Sequence, residues 1–127
     1  MCGFAGFIGV QDVALLQKMG EALRHRGPDQ DGDFVSDGCS MSHKRLSIID
    51  LSEAGRQPMQ SKDGRFTVSY NGEIYNYKEL RARYEQAGWK FQTQTDTECL
   101  IASAALNGLS DLGDFHGMFA FALWDHE

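Results

Sequence analysis

The second residue of the chain, Cys2, has the side chain best suited to nucleophilic chemistry. Removal of Met1, which is usual when a small residue follows, would leave Cys2 with a free α-amine beside its thiol. A thiol attacks as its thiolate, and an unperturbed α-amine, with a pKa of about 7.7–8.0, can accept the thiol proton near neutral pH. Cys2 could therefore supply both nucleophile and base. By itself it could equally be a small apolar residue that begins a strand.

Asn71 and Gly72 directly follow Phe66–Tyr70, a segment that alternates as a strand does. Asn-Gly is the strongest short signal for a type I′ hairpin turn, and that is the structural interpretation. The chemical interpretation is that an Asn amide beside a Gly N–H forms a pair of donors for a developing oxyanion. These two residues alone leave both interpretations open.

Three charged residues could bind the two ends of a free α-amino acid. The Arg45 guanidinium can pair with a carboxylate through two hydrogen bonds, although Ser42–Arg45 also fits an exposed basic turn. Glu73 and Asp96 could bind an ammonium group, although Asp96 in the first turn of a helix would also favour the helix dipole. Together with a nucleophile and oxyanion donors, these residues suit hydrolysis of a side-chain amide.

Strands and helices that could position these side chains alternate along the chain. The last of the strand-like segments is nearly all apolar, which predicts burial on both faces. The strand-like segments are Gly3–Gly9, Cys39–Ile49, Phe66–Tyr70 and Gly117–Trp124.

Three helices are predicted from spacing and capping patterns. Apolar residues at helical spacing predict a helix over 12–24, which His25–Asp29 interrupts. Asn76 with Glu79, and Thr95 with Glu98, resemble capping boxes ahead of two further helices that end at Gly88 and Gly108. Sheets covered by helices are expected, so the fold class is α+β.

Composition excludes several classes of function. A chain of 127 residues with 42% hydrophobic and 24% charged residues is typical of one globular domain. The net charge of −6, without a Lys/Arg cluster, argues against nucleic-acid binding. No apolar run is long enough to cross a membrane. The three widely spaced cysteines fit reduced thiols in the cytoplasm rather than a disulfide framework.

A metal site was the alternative considered for the cysteines and histidines. Structural zinc sites usually contain closely spaced Cys pairs, which this sequence lacks, so no metal site is predicted. The residues concerned are Cys2, Cys39, Cys99, His25, His43, His116 and His126.

Seven stretches, in order across nearly the whole chain, resemble one family. They are similar to the N-terminal glutaminase domain of class II glutamine amidotransferases, in the branch fused to asparagine-synthetase-like domains. Each stretch alone is a weak signal, but seven in the same order are highly specific. The stretches are Met1–Gly6, His25–Asp29, His43–Leu51, Gly55–Met59, Tyr70–Tyr77, Thr95–Glu98 and Gly117–Asp125.

The resemblance implies a catalytic role for three of the matching residues. Cys2 would attack the side-chain amide carbon of L-glutamine, with its own α-amine as base. Asn71 and the N–H of Gly72 would form the oxyanion hole. Ammonia would leave, a γ-glutamyl thioester would remain on Cys2, and water would release glutamate.

The resemblance also implies the substrate-binding residues. Arg45 would bind the α-carboxylate of glutamine, and Glu73 and Asp96 would bind its α-ammonium group. Backbone groups near Ile48 and Ile49 would line the same pocket.

The fold implied by the resemblance is a four-layer αββα sandwich of the N-terminal-nucleophile hydrolase type. Arg26 would either support the neighbourhood of the nucleophile or stabilise its own turn. Members of the family continue beyond the last strand and then into a synthetase domain. Residues 1–127 are therefore expected to be a partial glutaminase domain, truncated at its C-terminal side and without the synthetase domain.

Three expectations follow from that truncation. No cofactor is expected in this domain, since ATP and Mg belong to the synthetase domain. Unpaired sheet edges would favour a homodimer or strand exchange. The alternative function is a catalytically inert fragment with a structural or interaction role. The acceptor of the ammonia stays open between aspartate, a sugar acid and another carboxylate.

Overall fold

The computed structural model describes residues 2–127, in which helices cover the outer faces of two antiparallel sheets. Sheet 1 has the order β1-β3-β2 and sheet 2 the order β4-β5-β6. The strands are β1 (Gly3–Ile8), β2 (Gln30–Val35), β3 (Cys39–Arg45), β4 (Met59–Gln60), β5 (Phe66–Ile74) and β6 (Gly117–Asp125). The helices are α1 (Val13–Ala22), α2 (Tyr77–Gln86) and α3 (Glu98–Asn107), with single 3-10 turns at Arg24–Arg26, Glu53–Gly55 and Leu112–Asp114.

The layers follow from which helix packs against which sheet. Helix α1 contacts β1 and β3, helix α3 contacts β5 and α2, and the inner faces of the two sheets meet where β1 and β3 contact β5. This arrangement confirms the predicted α+β, four-layer αββα architecture. No helix of residues 2–127 is long and apolar enough to cross a membrane.

The main hydrophobic core lies between sheet 2 and the helices α2 and α3. Alternate residues of β5 face it, because successive side chains of a strand point to opposite faces. The most completely buried members are Val68, Ile74, Tyr84, Cys99, Leu100, Ile101 and Ala102. The other face of β5, which carries Thr67, Ser69 and Asn71, is turned toward sheet 1.

The predicted hairpin turn at Asn71 and Gly72 is wrong. Both residues lie inside β5, where they pair with Ala120 and Phe119 of β6, and the ladder continues as far as Ile74. The Gly72 backbone has a φ of +145°, a conformation that residues with side chains rarely adopt. A Cβ atom there would also collide with the carbonyl oxygen of Met118. Glycine is therefore required by the strand itself and not by a turn.

The prediction that Gly117–Trp124 is buried on both faces is also wrong. Strand β6 has β5 as its one neighbour among residues 2–127, so it is an edge strand of sheet 2 as described. Most of its residues are half-buried, and Met118 is 68% exposed. An apolar run alone does not distinguish a central strand from an edge strand.

The predicted helices are confirmed, but two of their caps differ from the prediction. The Asn76 side chain makes no capping bond and binds the Asp114 carbonyl oxygen and the His116 N–H instead. Helix α3 begins after Thr97, and the Thr95 hydroxyl accepts the Glu98 N–H at 3.4 Å, as half of the predicted capping box requires. The Glu98 carboxylate, however, accepts hydrogen bonds from the N–H groups of Gln92 and Thr93. The predicted stop at Gly108 is confirmed by its left-handed conformation, with φ +56°.

Further differences concern the strands, since β2 and β4 were not predicted and β3 ends earlier than expected. Strand β3 ends at Arg45, four residues before the predicted end at Ile49, and the chain then turns away as a loop. All seven residues of β3 are buried. The interpretation of Ser42–Arg45 as an exposed basic turn is therefore wrong.

His43 is a titratable group buried where the two sheets meet, stacked on Phe4 of the neighbouring strand. Neither ring nitrogen has a hydrogen-bond partner in the described part of the chain. Burial, with a smaller effect of the Arg45 charge, lowers the pKa of His43 to about 4. The folded protein therefore holds His43 neutral at pH values where the unfolded chain protonates it.

We expect the free energy of unfolding to fall as pH decreases from about 6.5 to 4, because the unfolded state then binds one more proton at His43. The loss from this residue is about 3 kcal/mol, given 1.36 kcal/mol per pKa unit. Urea unfolding across this range, compared between the wild type and His43→Gln, measures it. The variant should lose less stability on acidification, whereas His25→Gln, at an exposed position, should follow the wild type. Parallel curves for His43→Gln and the wild type would contradict the prediction.

Candidate active site

A cavity of about 270 Å³ lies between sheet 1 and sheet 2. It is lined by Cys2, just before β1, by the end of β3 and by residues of β5. Most of the residues singled out from the sequence line it, although they are scattered over nearly one hundred positions. These residues are Cys2, Arg45, Ile48, Ile49, Asn71, Gly72, Glu73 and Asp96.

Arg26 is the one predicted site residue that does not line the cavity. Its side chain packs against Gly3, so that a Cβ atom at Gly3 would lie 3.0 Å from Cβ and Cγ of Arg26. Gly3 follows Cys2 directly. Arg26 therefore contacts the strand that carries the nucleophile candidate, and any effect on the cavity would be indirect.

The thiol of Cys2 is half-buried and is held by the backbone of Leu46. The Leu46 N–H lies 3.3 Å from Sγ, and Sγ lies 3.5 Å from the Leu46 carbonyl oxygen. The predicted removal of Met1 falls outside the described residues and stays a prediction.

Asn71 and Gly72 line the same cavity as the thiol and belong to β5 of sheet 2. The Oδ1 atom of Asn71 is fully buried and has no hydrogen-bond donor among residues 2–127. An amide whose oxygen is turned inward presents its NH₂ group to the other side. The pair could therefore supply the donors that an oxyanion needs.

Arg45 is buried at the end of β3, and part of its guanidinium is bonded to the protein. Nη1 donates to Gln30 Oε1 at 2.6 Å and to the Ser52 carbonyl oxygen at 3.1 Å, and Nη2 donates to the Asp50 carbonyl oxygen. A guanidinium has five N–H groups. Nε–H and one Nη2–H thus have no acceptor among the described residues, and these two neighbouring donors match a carboxylate.

Asp96 is a buried carboxylate that uses one oxygen for structure. Its Oδ2 accepts hydrogen bonds from the Tyr70 hydroxyl at 2.6 Å and from the Ile74 N–H at 2.9 Å. Asp96 precedes α3 and does not lie in its first turn, so the helix-dipole interpretation is wrong. No described residue donates to Oδ1, which could accept from an ammonium group together with the exposed Glu73.

The Tyr70 hydroxyl keeps its proton under all ordinary conditions. Burial, followed by the negative charge of Asp96 and their hydrogen bond, raises the pKa of Tyr70 well above its usual range. Tyr70 therefore always donates to Asp96. Because the Tyr70 hydroxyl donates to Oδ2 of Asp96, Oδ1 is the carboxylate oxygen that stays available to a ligand.

The loop after β3 forms part of the cavity mouth, with Ile48 and Ile49 exposed. Asp50 ties this loop to the segment before α3, because its Oδ2 accepts the Gln94 N–H at 3.1 Å. Hydrogen bonds from Ser52, first among several causes, lower the pKa of Asp50. The ionised carboxylate thus holds the loop in place at neutral pH.

Several lining residues were not identified from the sequence. Gln57 lay within a recognised stretch but carried no predicted role, and Tyr70 was noted only as the end of a strand. The others also lie within the matching stretches but had no predicted role in a site; they are Leu46, Asp50, Gly55, Tyr75, Thr95, Thr97 and Met118.

The site as described contains acids, bases and amides but no metal-binding cluster. Over residues 2–127, no group of three or more His, Cys, Asp or Glu side chains could hold a metal ion. The cavity brings together a thiol, amide donors, a guanidinium group and two carboxylates.

Comparison with solved structures matches this fold to an amidotransferase. A glutamine phosphoribosylpyrophosphate amidotransferase from Bacillus subtilis, solved with ADP and GMP, superimposes with a TM-score of 0.80 at 22% sequence identity. The match covers 98% of this chain and 35% of that protein. At this identity the likeness establishes the fold, which is the N-terminal-nucleophile type predicted from the sequence.

Curated relatives are more similar in sequence. Asparagine synthetase B [glutamine-hydrolyzing] of Escherichia coli is 40% identical over 100% of this chain and 24% of its own length. Asparagine synthetase [glutamine-hydrolyzing] 1 of Bacillus subtilis is 39% identical over 98% of this chain and 21% of its own length. The chain thus spans between a fifth and a quarter of these relatives.

The family comparison covers the whole chain. A family model described as a glutamine amidotransferase domain matches residues 1–127. With relatives near 40% identity over all of its length, the chain belongs to the glutamine amidotransferase domain family.

Proposed function

We propose that this domain hydrolyses the side-chain amide of L-glutamine to glutamate and ammonia through a thioester on Cys2. The observation that supports this most directly is the content of one cavity. It holds a thiol, a pair of facing amide donors, an arginine with two available N–H groups and a buried aspartate with an available oxygen. Glutamine has a matching group for each: the amide carbon for the thiol, the amide oxygen for the amide donors, the α-carboxylate for the arginine and the α-ammonium group for the aspartate.

The proposed binding mode uses both ends of the substrate. The α-carboxylate pairs with Nε–H and Nη2–H of Arg45, which is the bidentate geometry that guanidinium favours. The α-ammonium group donates to Asp96 Oδ1 and to Glu73. Fixing both charged groups places the side-chain amide between the Cys2 thiol and Asn71, which lowers the entropic cost of reaction.

The proposed reaction has two halves. The α-amine of Cys2, free once Met1 is removed, takes the thiol proton, and Sγ bonds to the amide carbon. The negative oxygen of the tetrahedral intermediate accepts hydrogen bonds from Asn71 Nδ2 and the Gly72 N–H. The amine proton passes to the leaving nitrogen, the C–N bond breaks and ammonia departs. Water then attacks the thioester, which releases glutamate and restores the thiol.

The use of the ammonia is a proposal about the whole protein. Two relatives carry the name asparagine synthetase [glutamine-hydrolyzing], and the chain covers only a quarter or less of each. We infer that the ammonia serves an ATP-dependent, asparagine-synthetase-like amidation in a separate synthetase domain, which would hold the ATP and Mg. The exposed edge of β6 is proposed to take a further strand, including that of a second copy in a homodimer. Free cysteines fit the reducing cytoplasm as the compartment.

We expect Cys2→Ala to abolish ammonia release from glutamine, because no other described residue places a thiol in the cavity. A diazo-ketone glutamine analogue should add once to the wild type, at Cys2, and intact-mass analysis should show that Met1 is absent. The matched control is Cys39→Ala, since that cysteine is buried in β3 and outside the cavity.

The control should keep its activity and its labelling. Equal losses in Cys2→Ala and Cys39→Ala would overturn the assignment. A wild type that begins at Cys2, stays unlabelled and releases no ammonia would instead support the inert structural alternative.

We expect Asn71→Ala to lower kcat by about 10²-fold or more, as loss of one oxyanion donor commonly does. KM should change little, because the donor acts mainly on the intermediate. Steady-state ammonia release measures both constants. Asn107→Ala, at an exposed position on α3, is the control. A variant of Asn71 with wild-type kcat would exclude it from the oxyanion hole.

We expect Arg45→Lys to raise KM for glutamine by about 10-fold, because lysine keeps the charge but loses the two-pronged hydrogen bond. The value of kcat should change less than KM. Arg56→Lys is the control, since Arg56 is exposed and binds only the Asp31 carbonyl oxygen. An unchanged KM in Arg45→Lys, with correct folding shown by circular dichroism, would contradict the role in binding carboxylate.

A further inference from the structure

Gln57 lines the cavity but has no part in the chemistry described so far. It lies between the 3-10 turn at Glu53–Gly55 and strand β4, and its side chain is 5% exposed. Its backbone is wedged between the sheets, because its carbonyl oxygen occupies the place that a Cβ atom at Gly32 of β2 would take. The backbone of Gln57 thus packs closely against β2 of sheet 1.

The orientation of the Gln57 carboxamide follows from its one hydrogen bond. Oε1 accepts the backbone N–H of Tyr70 at 2.7 Å. Since a backbone N–H can only donate, the oxygen must face Tyr70, and the NH₂ group must point the other way. That NH₂ group has no acceptor among residues 2–127.

Asn71, the residue next to Tyr70, has an acceptor without a donor, whereas Gln57 has a donor without an acceptor. Its Oδ1 is fully buried and receives no hydrogen bond from the described residues. A buried acceptor without a donor is costly, and such groups in native proteins are usually satisfied by protein or by enclosed water. A donor that lines the same cavity and points away from Tyr70 is the Gln57 NH₂ group.

We propose that Gln57 is a positioning residue of the oxyanion hole: a small rotation of the two carboxamides, which are not within hydrogen-bond distance in the structure as described, lets Nε2 donate to Asn71 Oδ1. The result is a directed series of hydrogen bonds. Tyr70 N–H donates to Gln57 Oε1, Gln57 Nε2–H donates to Asn71 Oδ1, and Asn71 Nδ2–H is left to face the Cys2 thiol. If the Asn71 amide were reversed, its oxygen, an acceptor, would face the oxyanion. The series of hydrogen bonds therefore keeps the Asn71 NH₂ group in the orientation that can stabilise the oxyanion. This inference rests on the proposed glutamine hydrolysis.

The variant Gln57→Glu tests the donor separately from the structural role. Glutamate has the same length and keeps an oxygen for the Tyr70 N–H, but it places a second acceptor opposite Asn71 Oδ1. We expect kcat for glutamine hydrolysis in the full-length protein to fall by about 10²-fold, with KM within about 3-fold and an unchanged thermal midpoint. Gln57→Met, which loses both interactions, should lose stability as well.

A pH profile gives a signature that a merely structural role would not produce. Protonation of the new carboxyl group restores an O–H donor toward Asn71. The ratio of kcat for Gln57→Glu to kcat for the wild type should therefore rise as pH decreases from 7 to 5. A ratio that is constant across this range, or equal to one throughout, would overturn the proposal.

Ser69→Ala is the matched control that tests whether Ser69, rather than Gln57, is the donor to Asn71 Oδ1. The Ser69 hydroxyl is also fully buried and without a partner in the described residues, and it lies two positions before Asn71 on the same face of β5. We expect this variant to keep kcat within about 3-fold of the wild type. A large loss in Ser69→Ala with none in Gln57→Glu would assign the donor to Ser69 and reject Gln57.

The wild-type protein allows a test even if the Gln57 variants fold poorly. In protein labelled with ¹⁵N at the glutamine side chains, the Gln57 NH₂ protons should exchange with solvent at least 10-fold more slowly than those of the exposed Gln86. Equal exchange rates would reject the hydrogen bond. If the wild type releases ammonia and Cys2→Ala does not, the proposed function holds whatever the results at Gln57.

Discussion

The antiparallel ladder between β5 and β6 is the constraint on which the candidate site depends. It runs from the pair Phe66 and Asp125 to the pair Ile74 and Gly117 without a break. Its continuity holds Asn71, Gly72 and Glu73 in extended backbone opposite the thiol of Cys2. A turn at Asn71 would have directed these side chains into solvent. The ladder is possible there only because Gly72 adopts a φ of +145° and leaves room for the Met118 carbonyl oxygen.

The polar side chains of the cavity have both structural and binding groups. Arg45 uses three N–H groups to hold Gln30 and the loop at Asp50–Ser52, and two remain. Asp96 uses one carboxylate oxygen for the Tyr70 hydroxyl and the Ile74 N–H, and the other remains. Such partial satisfaction holds each side chain in one rotamer. A ligand that bound to the remaining groups would therefore bind at a lower cost of ordering them.

The close meeting of the two sheets explains why the site is both polar and buried. Sheet 1 contributes Cys2 and Arg45, sheet 2 contributes Asn71 and Glu73, and Gln57 lies between the sheets. His43 stays neutral in the same interior because burial lowers its pKa. Polar groups at this depth need partners or water, since an unsatisfied one weakens folding. The glycines at Gly3 and Gly32 allow Arg26 and Gln57 to approach the strands of sheet 1 closely.

Local patterns predicted the three helices and four of the six strands, but not β2 or β4, and the seven matching stretches predicted the family. Helices α1, α2 and α3 were predicted because periodicity and stop signals depend on neighbours within a few positions, as the left-handed Gly108 shows. The eight cavity residues were proposed from chemistry and resemblance, and one cavity contains them all.

Whether Asn71 and Gly72 form a turn or a strand could not be read locally, because the partner strand β6 lies more than forty residues away along the chain. The exposure of β6 was not foreseen, because the number of neighbouring strands depends on the sheet topology. Gln57 could not be recognised locally, since its role arises from a hydrogen bond to Tyr70, thirteen residues further along the chain. Local patterns specify which elements form, but the contacts between distant segments determine which side chains share one cavity.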